Sequence, residues 1–171
     1  MMTKKILPLL GAVCFAWFWS CSPYGSYSEI PEIHFKKLIF EDRWDTLDLK
    51  YVNKPVLTFS FVDGDGNLGG GSSSICYRWY EKNSDQPYQF PDGSIITTAA
   101  IPYSSVMDKT QAQNKTLKGT IEIELFKPRN PPGIDTMRVE FYIVDRAMNQ
   151  SNIEYTPDFS ILSPAGTELT K

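Results

Sequence analysis

From residue 33 onward, apolar and polar side chains alternate with a period of two, and each alternating run predicts a strand. Ile33 and Phe35 open the first, which continues through Lys37 and Ile39. Residues 47–52 form a second. Residues 56–62 set Leu57, Phe59 and Phe61 against Thr58 and Ser60. Residues 75–80 and 94–101 follow. Residues 120–126 place Ile121, Ile123 and Leu125 opposite Glu122 and Glu124, and residues 136–144 place Met137, Val139, Phe141 and Ile143 opposite Arg138 and Glu140. A last strand covers 151–161, with Pro157 as its point of interruption. Helical periodicity is weak throughout, and residues 104–113 are its best stretch.

The connections carry turn chemistry: Asp63-Gly64-Asp65-Gly66, residues 83–93 with two prolines, and Arg129-Asn130-Pro131-Pro132-Gly133. About seven to eight short strands separated by such turns imply an all-β, immunoglobulin-like antiparallel β-sandwich, with Trp79 as the tryptophan that fills its core. The domain is expected over residues 33–163, followed by a C-terminal tail at 164–171.

At 171 residues the chain is long enough for one domain with a real core. A net charge of −3 with scattered lysines argues against nucleic acid as a partner. The cysteines are Cys14, Cys21 and Cys76. Cys76 lies in an alternating strand and reads as a small buried side chain.

Cys21 carries a different message. Lys4 and Lys5 precede an apolar run from Ile6 to Trp19, and Ser20 precedes the cysteine. This is the order of a bacterial export signal. The run falls short of the about 20 apolar residues that span a bilayer. A small residue directly before a cysteine suits a lipoprotein signal peptidase, which acts once the thiol carries a diacylglycerol. Phe18 stands where such sites prefer leucine. The expectation is a removed signal at 1–20, a lipidated Cys21, and a small, polar, proline-punctuated tether at 21–32, reaching up to about 35 Å when extended. Acyl chains on Cys21 then supply membrane attachment, and no internal disulfide is available to the mature chain.

The strongest local chemical signal is Asp63-Gly64-Asp65-Gly66-Asn67-Leu68-Gly69. Asp63, Asp65 and Asn67 alternate with glycine, so three oxygen side chains can converge on one cation, and Ca²⁺ prefers such ligands. The loop is not an EF-hand, because Leu68 stands where that motif needs glycine and Ser74 where it needs glutamate. The same residues also describe a tight loop in which glycines supply positive φ and aspartates cap backbone N–H groups. In a sandwich with 56–62 as its second strand and 136–144 as its penultimate one, Asp145 ends at the same pole as Asp63 and Asp65.

The Asp-Gly-Asp-Gly-Asn-Leu-Gly loop, the later Asp145-Arg146-Ala147-Met148-Asn149-Gln150-Ser151-Asn152 and Thr156-Pro157 together resemble small lipoproteins of Bacteroidetes that join a loose lipobox to one immunoglobulin-like domain. In the general bacterial immunoglobulin-like pattern the late turn often reads Asp-x-Ala-Gly-Asn, and Met148 replaces that glycine here. The resemblance implies an outer-membrane lipoprotein. The absence of acidic residues just after Cys21 implies the periplasmic face. The resemblance also implies O-glycosylation at Asp-Thr pairs, which would fall on Thr46 and Thr136.

Catalysis has little to rest on: His34 is the sole histidine and lies beside the tether. Tyr88 and Phe90, in a polar proline-containing loop, are the candidates for an exposed contact surface. The expected function is that of a non-catalytic binding or scaffold protein, an accessory component of an outer-membrane assembly held beside an envelope protein or glycan. A carbohydrate-binding module of a glycan-uptake system is the alternative, with an enzyme ranked behind it.

Overall fold

In a computed structural model the structure describes residues 27–46, 49–69, 74–100, 116–128 and 133–171. The expected signal at 1–20, Cys21, the best helix candidate at 104–113 and residues 129–132 lie outside these. The described residues form no helix and fold as two antiparallel sheets. The strands are β1 (Glu32–Asp45), β2 (Lys50–Asp63), β3 (Ser74–Glu81), β4 (Thr97–Ala100), β5 (Leu117–Glu124), β6 (Thr136–Val144), β7 (Glu154–Tyr155), β8 (Phe159–Ser160) and β9 (Glu168–Thr170). One sheet runs β5-β2-β1-β9, and the other β4-β3-β6-β7 with β8 also on β6. Lettered by role, β5-β2-β1 are E-B-A and β4-β3-β6-β7 are C′-C-F-G, the strand order of an immunoglobulin-like sandwich, with β9 added at the edge beside β1.

The alternating rows face each other across the interior. Leu57, Phe59 and Phe61 of β2 meet Val139, Phe141 and Ile143 of β6, and the Phe59 and Phe141 rings lie 5.2 Å apart. Trp79 is wholly buried on β3 and meets Phe159 edge-on at 5.8 Å. Each such large side chain contributes about 1.5–3 kcal/mol by leaving water.

Four departures from the sequence reading have physical causes. In β1 the buried row is Ile33 and Phe35 and then Leu38 and Phe40, whereas alternation alone would continue through Lys37 and Ile39. A β-bulge between Phe35 and Lys37 inserts one residue and moves every later side chain to the opposite face. Residues 50–63 form one strand, where the alternation predicts two at 47–52 and 56–62. The N–H and C=O of Phe40, opposite Pro55, bond Thr167 and Gly166, so β1 needs no donor from the proline, and the Pro55 carbonyl still accepts from Leu125. The span 151–161 yields two short pieces, β7 and β8, on either side of Pro157. Finally, the expected C-terminal tail contains β9, which pairs with Lys37–Ile39 of β1 and extends the sheet beyond residue 163.

Strand directions give the sandwich two poles. Asp63, Val144 and the start of β1 lie at one, which we call the acidic pole. The β1–β2 hairpin turn and the 81–97 loop lie at the other, the hairpin pole.

Candidate metal centre

The acidic pole follows from the strand period. On β2 the inward positions are Leu57, Phe59 and Phe61, and the next is Asp63. On β6 they are Val139, Phe141 and Ile143, and the next is Asp145. Successive side chains alternate faces, so each carboxylate takes the place a hydrophobic residue would occupy one step further along. Both are fully buried. Because β2 and β6 belong to opposite sheets, the two aspartates close the end of the core from either side.

Asp65 joins them. One oxygen from each of Asp63, Asp65 and Asp145 lies within 4.8 Å of the others. The loop that delivers Asp65 turns through Gly66 and Gly69, with φ of 68° and 94°, a region where a side chain would be strained. Leu68 is buried in the core, and its N–H donates to Asp63 Oδ2 at 2.8 Å. That buried leucine is why the loop departs from the EF-hand pattern. Asn67 donates to both Asp65 oxygens, from its backbone N–H and its side-chain amide. Arg146 Nε donates to the Asn67 carbonyl at 2.7 Å and so ties this loop to the turn after β6.

That turn is organised by Asp145. Its Oδ1 accepts from the Asn149 N–H at 2.8 Å and its Oδ2 from the Asn149 side chain at 2.9 Å, while Met148 takes φ of 69°. Ser151 Oγ accepts from the Ile143 N–H, and the Asn152 side chain bonds both the N–H and the C=O of Ile33. The polar residues of this segment therefore each hold a specific joint, the last of them between the two sheets.

Asp63 is the electrostatic exception. Asp63 Oδ1 has no hydrogen-bond partner, nor does Asn67 Oδ1. Burial pushes the Asp63 carboxyl up to about 6; the Leu68 N–H opposes this, while Asp65, through a carboxyl–carboxylate hydrogen bond and its like charge, and then Asp145 by charge alone, push it the same way as burial. Both loop readings of the sequence thus hold in part: the aspartates cap backbone groups, and they also converge.

The remaining predicted site residues lie elsewhere. Thr46 is exposed at the hairpin turn, and Thr136 is half-buried at the start of β6 with its hydroxyl donating to Asp135, so both belong to the hairpin pole. Phe90 corrects the expectation of an exposed pair. It is buried in the core cluster, with Tyr88 packed edge-on against it at 5.3 Å and Phe126 at 5.8 Å. The Tyr88 N–H donates to the Trp79 carbonyl, which folds this loop over the core. His34 stays on the surface between Glu32 and Glu154, and Cys76 is a buried free thiol.

Sequence reasoning missed one cluster, on the outer face of the β3–β6 pair. Glu140 is only 5% exposed and accepts from Arg78 at 2.9 Å, from the Tyr80 hydroxyl at 3.2 Å and from the Tyr155 hydroxyl at 2.9 Å. The signal was present as Arg78 and Tyr80 on one strand and Glu140 on the other, but only the register Arg78↔Glu140 joins them.

No family model, curated protein or solved structure matches this chain.

Proposed function

We propose that this chain is a lipid-anchored, non-catalytic binding or scaffold protein of a bacterial cell envelope, held at the outer membrane by acyl chains on Cys21, facing the periplasm and serving a larger assembly. One observation carries the reading. Residues 27–31, expected to be the far part of a free tether, dock on the acidic pole: the Gly64 N–H donates to the Ser28 carbonyl at 2.9 Å, Lys118 contacts Tyr27, and Pro31 is buried. Only the residues between Cys21 and Tyr27 then remain as tether, a reach of about 20 Å at most. The acidic pole accordingly faces the bilayer, with Ca²⁺ as its proposed occupant, and the hairpin pole points away.

The hairpin pole offers what a binding module needs. Trp44 and Tyr51 are paired across β1 and β2, their rings 5.4 Å apart, and are 50% and 71% exposed, with Leu49 beside them also exposed. Aromatic side chains of this kind anchor protein interfaces. A carbohydrate face built on Tyr88 and Phe90 loses its exposed ring pair to the core.

Photo-crosslinking in intact membranes tests the reading. A crosslinker at Tyr51 is expected to capture one recurrent envelope protein, and Trp44→Ala to abolish the adduct. Identical adducts from crosslinkers at Tyr51 and at Arg146, or an adduct indifferent to Trp44→Ala, would contradict it.

A further inference from the structure

We propose that Asp63, Asp65 and Asp145, together with the side-chain oxygen of Asn67, bind a single Ca²⁺ ion that fastens the two sheets at the acidic pole. Three carboxylates close together are a common surface feature, and the cluster alone would not carry this. The second observation is Asp63 Oδ1. It belongs to a side chain with no exposed surface, it has no hydrogen-bond donor, and its carboxylate is part of the cluster with Asp65 and Asp145. Buried polar atoms are almost always partnered, and a buried carboxylate oxygen without a donor is costly. A cation supplies the missing partner. Asn67 Oδ1, a second orphaned oxygen, lies on the same loop, on a side chain fixed by its bond to Asp65.

The dimensions and chemistry select the ion. Ca²⁺ binds oxygens at about 2.3–2.6 Å, so two ligands across one ion stand up to about 5 Å apart. Carboxylate oxygens within 4.8 Å of one another therefore fit a single coordination sphere as they stand. The donors are all hard oxygens, which points away from zinc. Their supports differ: one aspartate ends a strand, one heads a tight turn, and one lies in a loop between glycines. Ca²⁺ tolerates such an irregular set, whereas Mg²⁺ demands a near-octahedral one. Water completes the shell.

The site explains why aspartates end two core-facing rows. Asp63 comes from one sheet and Asp145 from the other, so the ion joins strands that no backbone hydrogen bond connects. Gly64, bonded to Ser28, immediately follows Asp63, so the same ion steadies the surface on which residues 27–31 dock. The inference rests on the anchored-module reading only for the orientation of that surface, and membrane attachment is read separately by acylation of Cys21.

The test uses the full chain in mild detergent, stripped with chelator and titrated with CaCl₂, MgCl₂ and TbCl₃. Ca²⁺ at a hundredfold excess over its dissociation constant is expected to raise the melting midpoint by about 5–10 °C. Tb³⁺ luminescence should appear and be displaced by Ca²⁺. Asp65→Asn is the decisive variant, because the side chain is half-buried and the N–H donors it accepts from both belong to Asn67. It is expected to fold, to melt higher than the parent in chelator through loss of like-charge repulsion, and to bind Ca²⁺ at least about tenfold more weakly. Asn67→Ala provides a second variant, likewise expected to weaken Ca²⁺ binding. Equal midpoints in Ca²⁺ and in chelator, or an undiminished Ca²⁺ shift in Asp65→Asn, would overturn the site. An equal response to Mg²⁺ would overturn the assignment of the ion.

Discussion

The backbone N–H of Gly64 donates to the carbonyl of Ser28 at 2.9 Å, joining the segment that leads into β1 to the loop that carries the acidic cluster. The approach is close enough that a Cβ on Gly64 would collide with the backbone oxygens of both Tyr27 and Ser28. Backbone cannot yield as a flexible side chain would. Gly64→Ala is therefore expected to lower stability by about 1–3 kcal/mol and to release residues 27–31. Amide exchange checks this directly: protection at Gly64 should fall while that of β3 and β6 is kept. Unchanged exchange at Gly64 would mean the segment docks by other contacts.

Met148 is the converse case. It takes φ of 69°, is 70% exposed, and occupies the position where the related turn pattern has glycine. A non-glycine residue in this region costs roughly 1–2 kcal/mol, partly offset by the entropy glycine loses on folding. Met148→Gly should raise stability by about 0.5–1 kcal/mol in urea denaturation, with no loss of the Asp145–Asn149 turn.

Trp79 fills the core but leaves its indole N–H without a partner. Trp79→Ala removes the whole ring and is expected to cost about 3–5 kcal/mol. Trp79→Phe keeps an aromatic ring while deleting the orphaned donor, so its cost should stay below about 2 kcal/mol. Equal losses for the two variants, measured by denaturant unfolding, would show that the indole N–H is not a liability.

What could be read from the sequence, and what could not, divides along a physical line. Asp63 and Asp145 were legible because they continue core-facing rows of period two, and the sandwich order brings the ends of β2 and β6 to one pole. The bulge beside Lys36 was not, because inserting one residue is a local backbone choice that leaves no mark on the alternation. Phe90 was misplaced because it sits between polar Gln89 and the turn pair Pro91-Asp92, although its own side chain turns back onto the core. The strand Glu168–Thr170 was hidden by its length, since three residues carry no period. Glu140 looked like one more solvated acid until the register set Arg78 opposite it.

That pair makes a further prediction. Glu140 is buried among three donors, while the Arg78 side chain keeps 28% of its surface exposed. Arg78→Met leaves the carboxylate with two tyrosine hydroxyls and without its ion-pair partner, and should cost about 2 kcal/mol after allowance for solvent screening. Arg78→Met with Glu140→Leu should cost less than the sum of the two single changes. A double-mutant cycle reads the coupling, and strict additivity would mean that the pair contributes nothing.

The most direct test of the whole account is the intact mass of the protein extracted from the envelope of a host that processes bacterial lipoproteins. The expected species begins at Cys21 and carries a diacylglycerol, with Cys21→Ser leaving the protein unacylated and its signal uncleaved. A mature chain that begins elsewhere, or a Cys21 thiol free of lipid, would contradict it.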